Sequence, residues 1–213
     1  MMLAQRYPDA YDGIHACAPA YNWNELFAFT LWPQLVMQWI DYFPYPCELH
    51  ALVEAAIEAC DMNDGVVDSI ISDDSACDFD PFSLVGKTFF CADTNTTNTI
   101  TKEAATIAKA TWTGPRTVNN EFVWYGSNVG SQLSGSTAGL TSDIGPAMTA
   151  CSQNGTCVGV PLGLGENWLK YFVENDIDWN WRNMTHADLS YDTAKSIKLY
   201  DPIIGTNDPD LTS

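Results

Sequence analysis

The sequence predicts an α/β fold in which a small strand-bearing part flanks a large, mostly helical and loop-rich part. Three observations carry this reading. The chain opens on a helix end, residues 1–7, stopped by Tyr7-Pro8. After the Asp12-Gly13 turn it runs into a short apolar segment, Ile14–Ala18, closed by Pro19, which is the pattern of a buried strand in an α/β sheet. Trp23 to Ile40, Glu48–Ala59 and Thr101–Trp112 then carry helical signals, whereas residues 126–165 are rich in Gly, Ser and Thr and read as long irregular loops.

Each element has its own reason. Leu26–Ile40 is apolar and aromatic but interrupted by Pro33 and Gln34, which predicts a kinked, buried helix pair. In Glu48–Ala59, Leu49, Leu52, Val53, Ala56 and Ile57 recur at the spacing of one buried helix face, with Glu48, Glu54 and Glu58 pointing elsewhere. Pro46 stands just ahead, where a first-turn proline is tolerated. Asp61–Asp80 is an acidic, turn-rich loop. Thr101–Trp112 begins on a capping Thr with an early Glu103 and stops at Gly114-Pro115. Phe122-Val123-Trp124-Tyr125 suggests a short strand. Asn167–Glu174 is helical, with Trp168, Leu169, Phe172 and Val173 on one face. Thr185-His186-Ala187-Asp188 resembles a capping box that opens a last helix to about Tyr200. No internal repeat is present.

Composition bounds the function. A chain of 213 residues with 46% hydrophobic and 12% aromatic residues can bury a sizeable core. No apolar run approaches the ~18–20 residues that span a bilayer. Nine basic against 27 acidic residues give a net charge of -18, which disfavours nucleic acid and anionic membrane surfaces as partners. Seven cysteines, none in a C-x-x-C pair and none near the three histidines, argue for disulfides rather than zinc, and so for a secreted, extracellular protein. Proximity pairs Cys151 with Cys157. The sequons at Asn95, Asn154 and Asn183 agree with a glycosylated, exported chain. Met1 to Pro8 is not a signal peptide; it looks like the last turns of an amphipathic helix, and Asp208 to Ser213 stops in a loop, so the expectation is a fragment.

The most informative run is Cys60-Asp61-Met62-Asn63-Asp64-Gly65-Val66-Val67-Asp68-Ser69-Ile70. Three carboxylates surround a glycine, and a hard cation such as calcium takes about 6–8 oxygen ligands from carboxylates and carbonyls. Without a cation the carboxylates repel. An EF-hand is excluded: counted from Asp61, Gly65 falls one position early and position 12 is Ser72 rather than Glu. An acidic surface turn is the other reading of the same spacing.

Cys60-Asp61-x-x-Asp64-Gly65-Val66-x-Asp68-x-x-Ile71, followed by Cys77-Asp78-Phe79-Asp80-Pro81, resembles the calcium loop of the tannase and feruloyl esterase family of secreted esterases. Met2-Leu3-Ala4-Gln5-Arg6-Tyr7-Pro8 through Ile14 resembles the helix and strand after that family's nucleophile, and Ala18-Pro19-Ala20 the strand end. Trp112-Thr113-Gly114-Pro115-Arg116 and Phe122-Val123-Trp124-Tyr125-Gly126 resemble its lid segments, and Ile203 to Leu211 the return to its core. The resemblance implies a partial α/β-hydrolase core, residues 1–22 and 201–213, around a large lid, residues 23–200. It implies structural calcium held by Asp61, Asp64 and Asp68 side chains and the Val66 and Ile70 carbonyls, and a Cys60–Cys77 disulfide. Elimination then leaves Cys47 with Cys91. It implies a serine carboxylic ester hydrolase whose small-molecule substrate is an ester of an aromatic acid such as ferulate or gallate.

The sequence departs from that pattern. Ser69 and Cys17 stand where glycine is usual, and Cys17 is expected to be a buried free thiol. In the family the nucleophilic Ser sits in a Cys-Ser-x-Gly-Gly elbow that would precede Met1, and the Asp and His would follow Ser213. No Gly-x-Ser-x-Gly elbow replaces it, since Gly135-Ser136-Thr137-Ala138-Gly139 centres on Thr. His15, His50 and His186 read as surface or packing residues, so no catalytic residue is assigned. Lid aromatics are expected to wall the pocket for the aromatic acid, most of the tryptophans being core. The alternatives are a secreted calcium-binding or carbohydrate-adhesion module without catalysis, and a pseudo-enzyme.

Overall fold

The computed structural model describes residues 2–92, 94–135, 144–152 and 155–205. Among the described residues six α-helices appear in chain order: α1 (Met2–Arg6), α2 (Trp23–Trp39), α3 (Pro46–Cys60), α4 (Lys102–Thr113), α5 (Leu164–Trp168) and α6 (His186–Ile204). Among the described residues the strands form two antiparallel hairpins, β1 (Thr88–Cys91) with β2 (Thr96–Thr99) and β3 (Thr149–Cys151) with β4 (Cys157–Gly159). No described helix is long and apolar enough to cross a membrane.

The core lies where α2 meets α4, α5 and α6, with α3 behind α4. Leu31, Leu35 and Met37 from α2, Leu49 and Leu52 from α3, Ile107 from α4 and Leu189 from α6 are fully or almost fully buried. Burial of each such side chain contributes roughly 1.5–3 kcal/mol. Pro33 does not split α2: one helix runs through it, because Leu31 and Leu35 on either side are buried in the same core and hold it in one piece.

Polar groups tie the layers together. Gln34 is fully buried, and its Nε2 donates to the carbonyls of Pro146, Met148 and Val160 at 3.0, 3.0 and 3.3 Å, pinning the β3–β4 hairpin to α2. Trp168 Nε1 donates to Ser196 Oγ, whose hydroxyl donates to Asn24, linking α5, α6 and α2. Glu48 does not point away from the core, as the periodicity of its own helix predicts. It is buried, accepts the Thr101 backbone N–H and hydroxyl at 2.8 Å each and the Tyr42 hydroxyl at 2.7 Å, and so caps α4 from α3. The same environment, burial first, holds the Tyr42 hydroxyl well above its ordinary titration range.

Disulfides join Cys47 to Cys91, Cys60 to Cys77 and Cys151 to Cys157. The first fastens the β1–β2 hairpin to α3, and the third crosslinks a register pair of β3–β4.

Other expectations need correction. Ile14–Ala18 forms no strand and is exposed, because no described strand lies beside it to complete a ladder. Cys17 is therefore an exposed free cysteine, not a buried one. Phe122–Tyr125 contributes one bridge, Arg116 with Phe122, rather than a strand. The helix expected over Asn167–Glu174 is α5 running into a π-helical turn, Leu169–Val173; Trp168, Leu169 and Val173 are buried, but Phe172 is exposed and stacks on Trp168. The capping box forms as expected: Thr185 N–H donates to Asp188 at 2.8 Å, and Asp188 N–H donates back to the Thr185 hydroxyl. This helix continues past Tyr200 to Ile204.

Candidate functional site

The acidic loop begins where α3 ends. Asp61–Asp64 form a single 3-10 turn, closed by Gly65 at φ 89°, a conformation that favours glycine. Ser69 has φ 66°, also left-handed, which is why glycine is the expected residue there. The disulfide between Cys60 and Cys77 closes the loop, and Asn63 Nδ2 donates to the Ala76 carbonyl across it at 2.9 Å.

Each carboxylate is turned toward its own backbone. Asp61, buried, accepts the Asp68 N–H at 3.2 Å; Asp64 accepts the Val66 N–H at 2.8 Å; Asp68 accepts the Ile70 N–H at 3.0 Å. The Val66 N–H, and after it the Ser72 hydroxyl, hold the Asp64 carboxyl below the usual carboxylate range. Asp64, Val66, Asp68 and Ile70 are exposed. The donors are all oxygens, which suits a hard cation. Among the described residues no three His, Cys, Asp or Glu side chains converge in a metal-binding arrangement. The neighbouring acids serve the fold: Asp73 and Asp80 cap short 3-10 turns, and Asp74 accepts the Val129 N–H at 2.7 Å.

The two tryptophan-glycine segments, separate in sequence, form one unit. Val123 N–H donates to the Pro115 carbonyl and Ser127 N–H to the Thr111 carbonyl. Gly114 (φ 75°) and Gly126 lie back to back. A Cβ on Gly126 would stand 2.3 Å from the Thr111 and Trp112 carbonyl oxygens, so only glycine fits.

A second region is apolar. A cavity of about 460 Å³ is lined by Met2, Ala16, Pro19, Ala20, Trp23, Trp168 and Ile204. It lies where the first 22 residues and the end of α6 meet α2 and α5. Trp23 Nε1 is buried without a hydrogen-bond partner. Of the other tryptophans, Trp32 and Trp181 are core, Trp39 and Trp179 pack against it, and Trp124 is half-buried against Tyr21 and Tyr125.

Among the described residues no histidine is hydrogen-bonded to a serine, threonine or cysteine. His15 is exposed, His50 pairs with Glu54 at 3.2 Å on the surface, and His186 stacks on Trp39 and donates from Nε2 to the Arg116 carbonyl at 2.7 Å. The Asn154 sequon acceptor, Ser136 to Gly139 and residues 206–213 lie outside the described residues.

The sequence matches the family model described as "Tannase and feruloyl esterase" over residues 1–213. It is 36% identical, over its whole length, to a probable feruloyl esterase of Arthroderma benhamiae, of which it spans 37%. The fold is similar to that of a tannin acyl hydrolase from Aspergillus niger, with a TM-score of 0.83 and 25% identity over 98% of this chain and 37% of that one. It also matches the fold of feruloyl esterase B from Aspergillus oryzae, with a TM-score of 0.65 and 20% identity over 91% of this chain and 35% of that one. These structures are α/β-hydrolase-like, and the part matched here is helix-rich with few strands. The chain thus spans little more than a third of the length of these proteins.

Proposed function

We propose that this chain, which belongs to the tannase and feruloyl esterase family, is the lid-bearing part of a secreted serine carboxylic ester hydrolase acting on esters of aromatic acids. The family match across residues 1–213 carries the reading, and it favours an esterase over a free-standing calcium-binding or adhesion module. Residues 23–200 are the lid; residues 1–22 and 201–213 belong with the hydrolase core. The apolar cavity among Met2, Trp23 and Trp168, at the seam between these parts, suits the ring of an aromatic acid.

The nucleophile and its base come from outside residues 1–213. Within the chain no elbow motif is present and no histidine has a nucleophilic partner among the described residues. The lid's work is to bind and orient the acid and to exclude water, while the serine chemistry proceeds through an acyl-enzyme.

Calcium would be held by Asp61, Asp64 and Asp68 with the carbonyls of Val66 and Ile70. It would offset three carboxylates within one disulfide-closed loop and so fix the lid, taking no part in ester cleavage. Secretion and glycosylation are supported by the three disulfides and by the exposure of Asn95, at the β1–β2 turn, and Asn183.

The test is to offer the pure chain methyl ferulate and an alkyl gallate. No turnover is expected. Turnover that copurifies with the chain, together with labelling by a serine-directed fluorophosphonate, places a nucleophile within residues 1–213 and refutes the assignment.

A further inference from the structure

With 27 acidic against 9 basic residues, a cavity taken at random on this surface should be lined by carboxylates. One is: a cavity of about 400 Å³ is bounded by Glu174, Asp176, Asp178, Asp188 and Asp192. The cavity beside the Gly114–Gly126 junction is the reverse. It measures about 350 Å³, and its ionisable lining is Lys109, Arg116 and His186, with no Asp or Glu. These bases come from three elements: α4, the segment after it, and the first turn of α6.

Two of the three are fixed by the fold. The Arg116 guanidinium lies 5.0 Å from the Phe122 ring centroid and donates to the Pro115 and Trp124 carbonyls at 3.3 and 3.5 Å. His186 is stacked on Trp39 with centroids 4.8 Å apart, and its Nε2–H is committed to the Arg116 carbonyl. A carbonyl cannot donate, so that nitrogen carries the proton. Lys109, exposed at the rim, is the adjustable member.

The remaining wall mixes two rings, Trp32 and Phe82, with threonine, asparagine and small apolar residues. Trp32 has spent its Nε1–H on the Ala110 carbonyl at 3.0 Å, so it and Phe82 offer ring surface and no donor. A bare inorganic anion would leave those two rings unused, and a neutral aromatic molecule would leave the Lys109 and Arg116 charges unused. The volume is at the lower end of the ~300–1,000 Å³ typical of small-molecule sites.

We infer that this cavity binds a small aromatic carboxylate, its acid group held by Lys109 and the Arg116 guanidinium and its ring laid against Trp32 and Phe82. Identifying that ligand with the acid released by ester cleavage rests on the esterase reading; the charge and shape of the cavity do not.

The experiment is a calorimetric titration of the 213-residue chain with ferulate, methyl ferulate and inorganic phosphate. Ferulate is expected to bind, and to bind less tightly as salt rises. Methyl ferulate keeps the ring and loses the charge, and phosphate keeps charge without the ring; each should bind at least about tenfold more weakly. Lys109→Gln, at an exposed position, should keep the melting temperature and weaken ferulate by about three- to tenfold, and Arg116→Gln by more. If Arg116→Gln fails to fold, Lys109→Gln decides alone. Failure of ferulate to bind, equal binding of acid and ester, tighter binding of phosphate, or unchanged ferulate affinity in folded Lys109→Gln each overturns the site. Ferulate binding that responds to Lys109→Gln, in a protein whose full-length form cleaves no aromatic ester, supports the site and removes the esterase reading. Ester cleavage without ferulate binding here does the opposite.

Discussion

Residues 2–22 and residues 23–200 are built differently. The first contain no buried side chain, although Leu3, Tyr7, Tyr11 and Ile14 are large and apolar. The second contain the whole described core, from Phe27 to Leu189, and all three disulfides. Residues 201–205 side with the first group, with none buried and Ile203 exposed. The difference teaches that the buried core is confined to the central segment, while the flanking apolar residues stay largely exposed and meet it only at the cavity beside Trp23 and Trp168.

The sharpest way to break the comparison is to truncate one side chain in each region. Leu35→Ala should cost about 2–5 kcal/mol in chemical denaturation, whereas Ile14→Ala should change stability by less than about 0.5 kcal/mol. Comparable losses at both positions would mean that residues 2–22 share the core after all.

Calcium probes the central segment alone. At a hundredfold excess over its dissociation constant it should add about 2.7 kcal/mol, seen as a higher melting temperature that EDTA reverses. Asp61→Asn with Asp68→Asn should abolish the shift. A melting temperature indifferent to calcium and to EDTA would count against the loop as a cation site.

The next effect is pH-dependent. Asp192 on α6 is buried, and its carboxyl is pushed up to about 7, first by burial and then by the neighbouring Glu174 charge, with Lys195 opposing. Lys195 itself is committed to Glu174 at 2.7 Å. A raised carboxyl binds its proton more tightly in the folded state. Its contribution is therefore complete below pH ~4 and is lost as pH rises to ~7. Asp192→Asn should stabilise the protein at pH 8, on the order of 1–3 kcal/mol, with the gain vanishing near pH 4. A gain that persists at pH 4 would place the cause elsewhere.

Gly126→Ala should destabilise by roughly 1–3 kcal/mol, since the added methyl meets two backbone carbonyls that cannot yield cheaply. A neutral result would show that the two tryptophan-glycine segments separate readily.

What was legible in the sequence was what each segment decides for itself. The cap at Thr101, the capping box at Thr185 and the buried stripe of α3 all follow from local spacing. What was hidden depends on a partner far along the chain. Glu48 looks like a surface residue until Thr101 is brought beneath it, and Gln34 looks like a helix breaker until it is seen holding three carbonyls more than a hundred residues away. Ile14–Ala18 has the composition of a strand, but a strand exists only with a neighbour, and no described one is beside it. In the acidic loop, spacing singled out the three carboxylates but left a surface turn equally open; the full ligand set and the glycine-like position of Ser69 came from the family resemblance, and Ser69 does have a left-handed backbone. The basic cavity was invisible, because Lys109, Arg116 and His186 are spread over nearly eighty positions and become neighbours only through packing.

The most direct test of the account is a graft. Residues 1–213 replace the matching third of the Arthroderma benhamiae feruloyl esterase relative, and the purified chimera is assayed on methyl ferulate beside the isolated chain. The account predicts turnover by the chimera and none by the chain. A chimera that folds, keeps the three disulfides of this segment and still cleaves no aromatic ester, or an isolated chain that cleaves one, would contradict it.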